Sequence, residues 1–327
     1  MTVPQHAGQA NPTDRLQHFP VSFFATVMGI AGLAIAWHKA HVVLGAPALV
    51  GELLVYLATA IFAGLVVLYA MKSSRHAGAV AQEFRHPVRI NFFPAISIGV
   101  LLLSIAWSGR EPELARLLWF VGVPLHLGFT LAAMSSWLFH SHYEIAHANP
   151  AWFIPVVGNI IVPLVGVRFA PIDVSWFFFS IGIVFWPVLL TIVLYRLFFH
   201  PALPERLTPT LFILIAPPAV GCLAWIALVG QVDALARILF YCALFLFALL
   251  AANGRRFLRT PFYLSAWAYS FPLAALTIAT LAMADEARAT VLRPLGIGLL
   301  GLVSVVVAVL TVRTVVAAVR GEICVPE

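Results

Sequence analysis

The chain has 327 residues, of which 62% are hydrophobic and only 10% charged, with a mean hydropathy of +0.99. A water-soluble protein would need about a quarter of its residues charged to cover its surface, so a soluble enzyme or adaptor is excluded. The formal net charge is +6, yet the basic residues are spread over short loops and form no patch suited to nucleic acid.

In chain order, a polar segment, 1–17, leads directly into the first apolar stretch. It has no short apolar core followed by a small-residue cleavage site, so no removable signal peptide is expected. Ten apolar stretches follow, at 18–40, 48–71, 88–107, 113–139, 150–168, 172–198, 208–230, 233–252, 262–284 and 289–318. Each approaches or exceeds the ~18–20 residues that cross a bilayer as a helix. The connections are mostly brief, so the chain reads as successive antiparallel helical hairpins. The expected architecture is an all-α integral membrane protein with one ten-helix domain, 18–318, and a short tail, 319–327.

Lys and Arg fall unevenly on the two sides of these helices. The side of the termini collects twelve, among them Lys72, Arg75, Arg85, Arg89, Arg255, Arg256 and Arg259; the other side has seven. The positive-inside bias then puts both termini in the cytoplasm, in a plasma membrane of bacterial inner-membrane type. The acids divide almost evenly, so the excess positive charge lies on the terminal side.

Prolines mark a repeat. The odd-numbered stretches carry Pro20, Pro94, Pro155, Pro217 with Pro218, and Pro272, at successive spacings of 74, 61, 63 and 54 residues, taking Pro218 in the fourth case. Among the even stretches, Pro124 and Pro187 interrupt the fourth and sixth, and Pro294 lies near the start of the tenth. A proline inside a helix removes a hydrogen bond and kinks the axis. In hydrocarbon the freed carbonyl must face protein or a cavity. Five such breaks predict five inward-facing helices around a central path.

The odd stretches are nearly free of ionisable groups. They offer small polar residues instead, including Asn91, Ser97, Asn159, Thr210, Ser270 and Thr277. Coupled pumps place carboxylates within the membrane, and cation pores favour acidic rings or carbonyl cages. A neutral path with a basic mouth suits anions that are selected by partial dehydration.

Other groups carry weaker signals. The run "HSHYEIAHANP" holds His140, His142, Glu144 and His147, but without metal-ligand spacing. His126 reads as a hydrogen-bonded packing residue. Trp37, Trp107, Trp119 and Trp152 read as anchors at the membrane interface. Cys222, Cys242 and Cys324 suggest neither a disulfide framework nor a metal site. No nucleotide-binding loop or nucleophile elbow is present, so neither a cofactor nor an enzymatic activity is expected.

Five runs together, "RLQHFPVSFFATVMGIAGLAIAW", "EFRHPVRINFFP", "HANPAWFIPVVGN", "APPAVG" and "AWAYSFPLAA", resemble the TehA family. That family includes bacterial tellurite-resistance membrane proteins, plant slow-type anion channels, and fungal dicarboxylate and sulfite carriers. The resemblance implies five hairpins in quasi-fivefold arrangement, odd helices around a pore, and a homotrimer with one pore per protomer. It also implies a phenylalanine gate on the ninth helix, which here is Phe271, facing a small residue of the first helix, here Ala25. Pro272 would then kink the ninth helix and aim the ring into the path. The expected pore lining is Phe24, Ala25, Gly29, Pro94, Ser97, Pro155, Asn159, Pro218 and Pro272. The implied function is passive conduction of small monovalent anions such as chloride or nitrate. The alternative on the same fold is a carrier or exporter of dicarboxylate, sulfite or tellurite-related oxyanions. Expected partners are such anions, membrane lipid and further copies of the chain.

Overall fold

The computed structural model describes residues 12–140 and 143–325. Ten helical spans account for most of them, and no strand occurs among the described residues. The spans are Val21–Leu44, Ala48–Arg75, Arg89–Trp107, Pro112–Phe139, Pro150–Phe169, Ile172–Phe199, Glu205–Val229, Ala234–Ala252, Leu264–Glu286 and Thr290–Arg320, here spans 1 to 10. Their ends fall within a few residues of the sequence expectation because the stop signals are local. Spans 1, 7 and 10 end at Gly45, Gly230 and Gly321, whose φ values of 71°, 78° and 69° only glycine adopts without strain.

Burial separates two classes of span. In the most apolar stretch of each odd span, 67–83% of residues are buried against protein; in the even spans the share is 22–33%. The odd spans therefore form an inner ring and the even spans an outer one. Span 1 packs on spans 3 and 9, span 7 on spans 5 and 9, and span 3 on span 5, which closes a ring of five. Each even span lies in the groove between its own odd partner and the next odd span: span 2 touches 1 and 3, span 4 touches 3 and 5, and so on to span 10, which touches 9 and 1. This is the quasi-fivefold arrangement of hairpins. The outer ring exposes apolar residues such as Leu53, Val67, Phe177, Val184, Phe245 and Val305, as a hydrocarbon surround requires.

Indole and hydroxyl groups join the two rings. Trp37 Nε1 donates to Ser304 Oγ (3.1 Å), Trp107 Nε1 to Thr59 Oγ1 (3.0 Å) and Trp267 Nε1 to Thr314 Oγ1 (2.9 Å). Trp119 Nε1 donates to the Val162 carbonyl (3.1 Å), and Trp152 stacks on Trp137 with centroids 4.7 Å apart. The tryptophans read as interface anchors are thus inter-helix braces. Trp107, Trp119 and Trp152 are all buried; the first two give their indole N–H to a protein acceptor, and Trp152 is held by its ring stack.

The prolines of the odd spans also act differently from the kinks expected. Spans 3, 7 and 9 begin as tight 3-10 turns (Arg89–Phe92, Glu205–Ile215, Leu264–Tyr269) and become α-helical at Pro94, Ala216 and Ser270. Pro94, Pro217 and Pro272 stand in the first turn of the α segment, where the missing N–H costs nothing. Pro20 precedes the 3-10 turn Val21–Phe23 that opens span 1. Only Pro155 lies inside a short α segment, Phe153–Val157, which another 3-10 turn follows. The repeat marks a change of helix type at similar depth. Pro124 and Pro187 lie inside long α-helices of the outer ring, and Pro209 inside the 3-10 segment of span 7.

One feature of the terminal face escaped the sequence reading. The loop after span 2 folds into a helix, Ala77–Arg85, that buries Glu83. Lys72 Nζ lies 2.7 Å from Glu83 Oε2 and donates to the Phe19 carbonyl (2.8 Å). Glu83 Oε1 accepts the Val21 N–H (2.8 Å), and Tyr69 donates its hydroxyl to Glu83 Oε2 (3.1 Å). Lys72 is 3% and Glu83 4% exposed, so this is a buried ion pair holding the entrance of span 1.

Candidate functional site

Two cavities lie on the axis of the inner ring. Their walls come from all five odd spans and, among the described residues, from no even span. The cavity on the side of the termini measures ≈ 80 Å³; the one on the opposite side measures ≈ 240 Å³. Phe271 and Val220 are the two residues common to both walls. The Phe271 ring therefore stands between the cavities as a partition. A Cβ added to Gly32 would fall 3.2 Å from Phe271 Cδ2, so Gly32 makes the room the ring occupies. The small residue beside the ring on span 1 is thus Gly32, two helical turns beyond Ala25, which lines the smaller cavity.

The lining follows helical spacing. Span 1 contributes Ala25, Met28, Gly32, Ile35 and Lys39, and span 3 contributes Phe92, Ala95, Ile98, Leu102 and Ile105. Span 9 contributes Leu264, Ala268, Phe271, Ala275, Ile278, Ala282 and Glu286 along one stripe. Steps of three and four residues keep one helix face toward the axis.

Several residues expected in the lining are turned away from it. Phe24, Gly29, Pro94, Ser97, Pro155, Asn159 and Pro218 line neither cavity, whereas Ala25, Phe271 and Pro272 do. All seven are sequence neighbours of a lining residue, about 100° away on the helical wheel. The reason is chemical for the polar ones. Ser97 Oγ is hydrogen-bonded to His126 Nδ1 (2.9 Å) and donates to the Pro94 carbonyl (2.9 Å). Asn159 Nδ2 donates to Thr130 Oγ1 (3.0 Å) and to the Val156 carbonyl (2.8 Å), and Thr130 in turn donates to the Pro155 carbonyl (2.6 Å). These groups serve the contact of spans 3 and 5 with span 4. Phe24 points outward onto Phe62 and Tyr69, with centroids 5.9 and 6.0 Å away. A Cβ at Gly29 would lie 2.9 Å from the Trp267 ring, so this glycine lets spans 1 and 9 approach.

The resulting path is apolar, with Ser22 and Ser265 as small polar groups in the terminal-side cavity. Lys39 and Glu286, at the far end of the larger cavity, are the only ionisable side chains lining either cavity among the described residues. No group of three or more His, Cys, Asp or Glu side chains that could hold a metal occurs among the described residues. In the histidine loop, Glu144 donates its backbone N–H to His147 Nδ1 (3.1 Å), and His142 lies outside the described residues.

The sequence carries relatives along this whole architecture. The family model described as "Voltage-dependent anion channel" matches residues 18–315. The S-type anion channel SLAH3 of Arabidopsis thaliana is 28% identical over 313 residues, covering 93% of this chain and 49% of its own length. The tellurite resistance protein TehA homolog of Haemophilus influenzae is 27% identical over 267 residues, covering 79% of each chain. An uncharacterized transporter of Methanocaldococcus jannaschii is 24% identical over 336 residues, covering 95% of this chain and 96% of its own. The chain spans 49–61% of the length of three of the plant channels it matches, SLAH3, SLAH2 and SLAC1. With the family match running from span 1 to span 10 of a five-hairpin ring, the chain belongs to the voltage-dependent anion channel family of multi-pass membrane proteins.

Proposed function

We propose that the path conducts small monovalent anions passively, chloride and nitrate among them, and that Phe271 is its gate. The observation that carries this reading is the place of the Phe271 ring, which forms the shared wall of two cavities on the ring axis. A hydrated anion meets a hydrophobic partition there and must shed water to pass. Effective desolvation of an ion costs several kcal/mol, which closes the path while the ring is in place. Displacement of the ring joins the cavities. Among the described residues the lining offers no deep carboxylate for proton or sodium coupling, which supports downhill transport without a chemical step. The terminal face is taken as cytoplasmic from its excess of Lys and Arg. A homotrimer with one path per protomer follows from the family resemblance.

Chloride efflux from proteoliposomes tests the reading. Phe271→Ala should release trapped chloride much faster than the wild type. Equal, slow efflux from both, together with saturable uptake of labelled malate or sulfite, would replace a channel with a carrier.

A further inference from the structure

We infer that Lys39 and Glu286 form a charge-controlled mouth that sets how readily anions enter from the face opposite the termini. The inference rests on the permeation reading above. Both side chains belong to the helical stripes that face the axis, Lys39 on span 1 and Glu286 on span 9, and no other ionisable side chain lines either cavity among the described residues. Lys39 Nζ lies 3.4 Å from Glu286 Oε1 and 3.7 Å from Asp285 Oδ2. The Lys39 side chain is 22% exposed, and those of Asp285 and Glu286 are 45% and 39% exposed.

A brace would be built differently, as the same molecule demonstrates. The Lys72–Glu83 pair closes to 2.7 Å, is buried, and gathers three further hydrogen bonds. The contacts of Lys39 are long, open to water and shared between two acids, a geometry that adds little stability. Its position is electrostatically strong. A charge at the rim of an apolar cavity of ≈ 240 Å³ has low-dielectric walls on the inner side, which focus its field into the path. Lys39 thus draws anions to the mouth. Asp285 and Glu286 mask it, the three side chains together carrying one net negative charge, which holds entry down.

Three other groups on this face have contacts of their own. The His38 ring fills the space over Gly51 of span 2, and His41 Nδ1 lies 2.7 Å from the Ala46 carbonyl. Arg110 pairs with Glu52 at 2.8 Å. The two carboxylates therefore control the charge that Lys39 presents to the path.

The two partners then have opposite effects, which a brace cannot produce. Single-channel current–voltage curves would be recorded for Phe271→Ala alone and combined with Lys39→Gln or Glu286→Gln. Lys39→Gln should lower the current carried by anions entering from this mouth, and Glu286→Gln should raise it, each by roughly five- to tenfold at low salt. Current in the other direction should change much less. Both differences should shrink at high salt, where rim charges are screened. Changes of the same sign, changes equal in both directions, or changes insensitive to salt would overturn the inference and leave the pair as a brace. Should Lys39→Gln not fold, the rise predicted for Glu286→Gln decides alone. Absence of current in folded Phe271→Ala would overturn the permeation reading itself, and this inference with it.

Discussion

On span 9, Ala275 and Ala282 line the larger cavity and Ala274 and Leu281 line neither, although all four are buried, at 0–2% exposure. Each pair differs by one residue, about 100° around a helix, which moves a side chain about 9 Å along the circumference of a cylinder ~10–12 Å across. Single cysteines at these four positions, in a chain with Cys222, Cys242 and Cys324 replaced by Ser or Ala, convert that rotation into reactivity. The cavity of ≈ 240 Å³ admits a small charged methanethiosulfonate reagent. Ala274 Cβ lies 3.2 Å from where a Cβ on Gly32 would stand, so a thiol at Ala274 would be packed against span 1. Ala275→Cys and Ala282→Cys should therefore label at least tenfold faster than Ala274→Cys and Leu281→Cys, a difference of about 1.4 kcal/mol in barrier. Labelling in proteoliposomes is read by intact mass, so the result does not depend on channel activity. Equal rates within each pair, or faster labelling at Ala274 and Leu281, would refute the assignment of the axial face.

Other predictions concern the scaffold and the gate. Glu83→Gln leaves Lys72 buried without its counter-charge, and loss of a buried partner costs about 3–5 kcal/mol. Detergent-solubilised Glu83→Gln should melt well below the wild type, whereas exposed Glu113→Gln, whose carboxylate is 3.9 Å from Arg116, should not shift. Gly29→Ala puts a Cβ 2.9 Å from the Trp267 ring, so it should alter the fluorescence of that indole and lower thermal stability. Phe271→Ala should remain folded. Its ring borders open space on both sides, so truncation costs less than the ~3–5 kcal/mol of a fully packed phenylalanine. The Asp233 carboxyl, outside the spans, is held below the usual carboxylate range by the Ala236 N–H, with Trp225 Nε1 and the Leu235 N–H adding to the effect. A lowered folded-state value stabilises above the unfolded carboxylate value, and that contribution is lost as pH falls through the folded one. Acid titration of Trp225 fluorescence should show this step, and Asp233→Asn should remove it.

The ring of spans was legible because membrane helices announce themselves by length, apolarity and glycine or charged ends. Expected stretches such as 113–139 and 150–168 lie within one residue of Pro112–Phe139 and Pro150–Phe169. The lining is less legible because polarity is a misleading guide to the axis. In this protein polarity points the other way: Ser97 and Asn159 turn toward His126 and Thr130, which satisfy them, and leave the axis to Ile98 and Gly158. The spacing of Ala25, Met28, Gly32, Ile35 and Lys39 holds the correct face, but in an almost uniformly apolar helix that stripe does not stand out. Lys39, at the end of that stripe, reads in the sequence as one more basic residue at a span end. Glu83 was hidden differently, since a lone acid in a basic loop gives no sign that the loop folds back and buries it.

The most direct test of the account is the reversal potential of Phe271→Ala in planar bilayers under a potassium chloride gradient. The account predicts large currents that reverse near the chloride equilibrium potential, against small wild-type currents. Reversal near the potassium potential, or no current from folded protein, would contradict an anion path gated at Phe271.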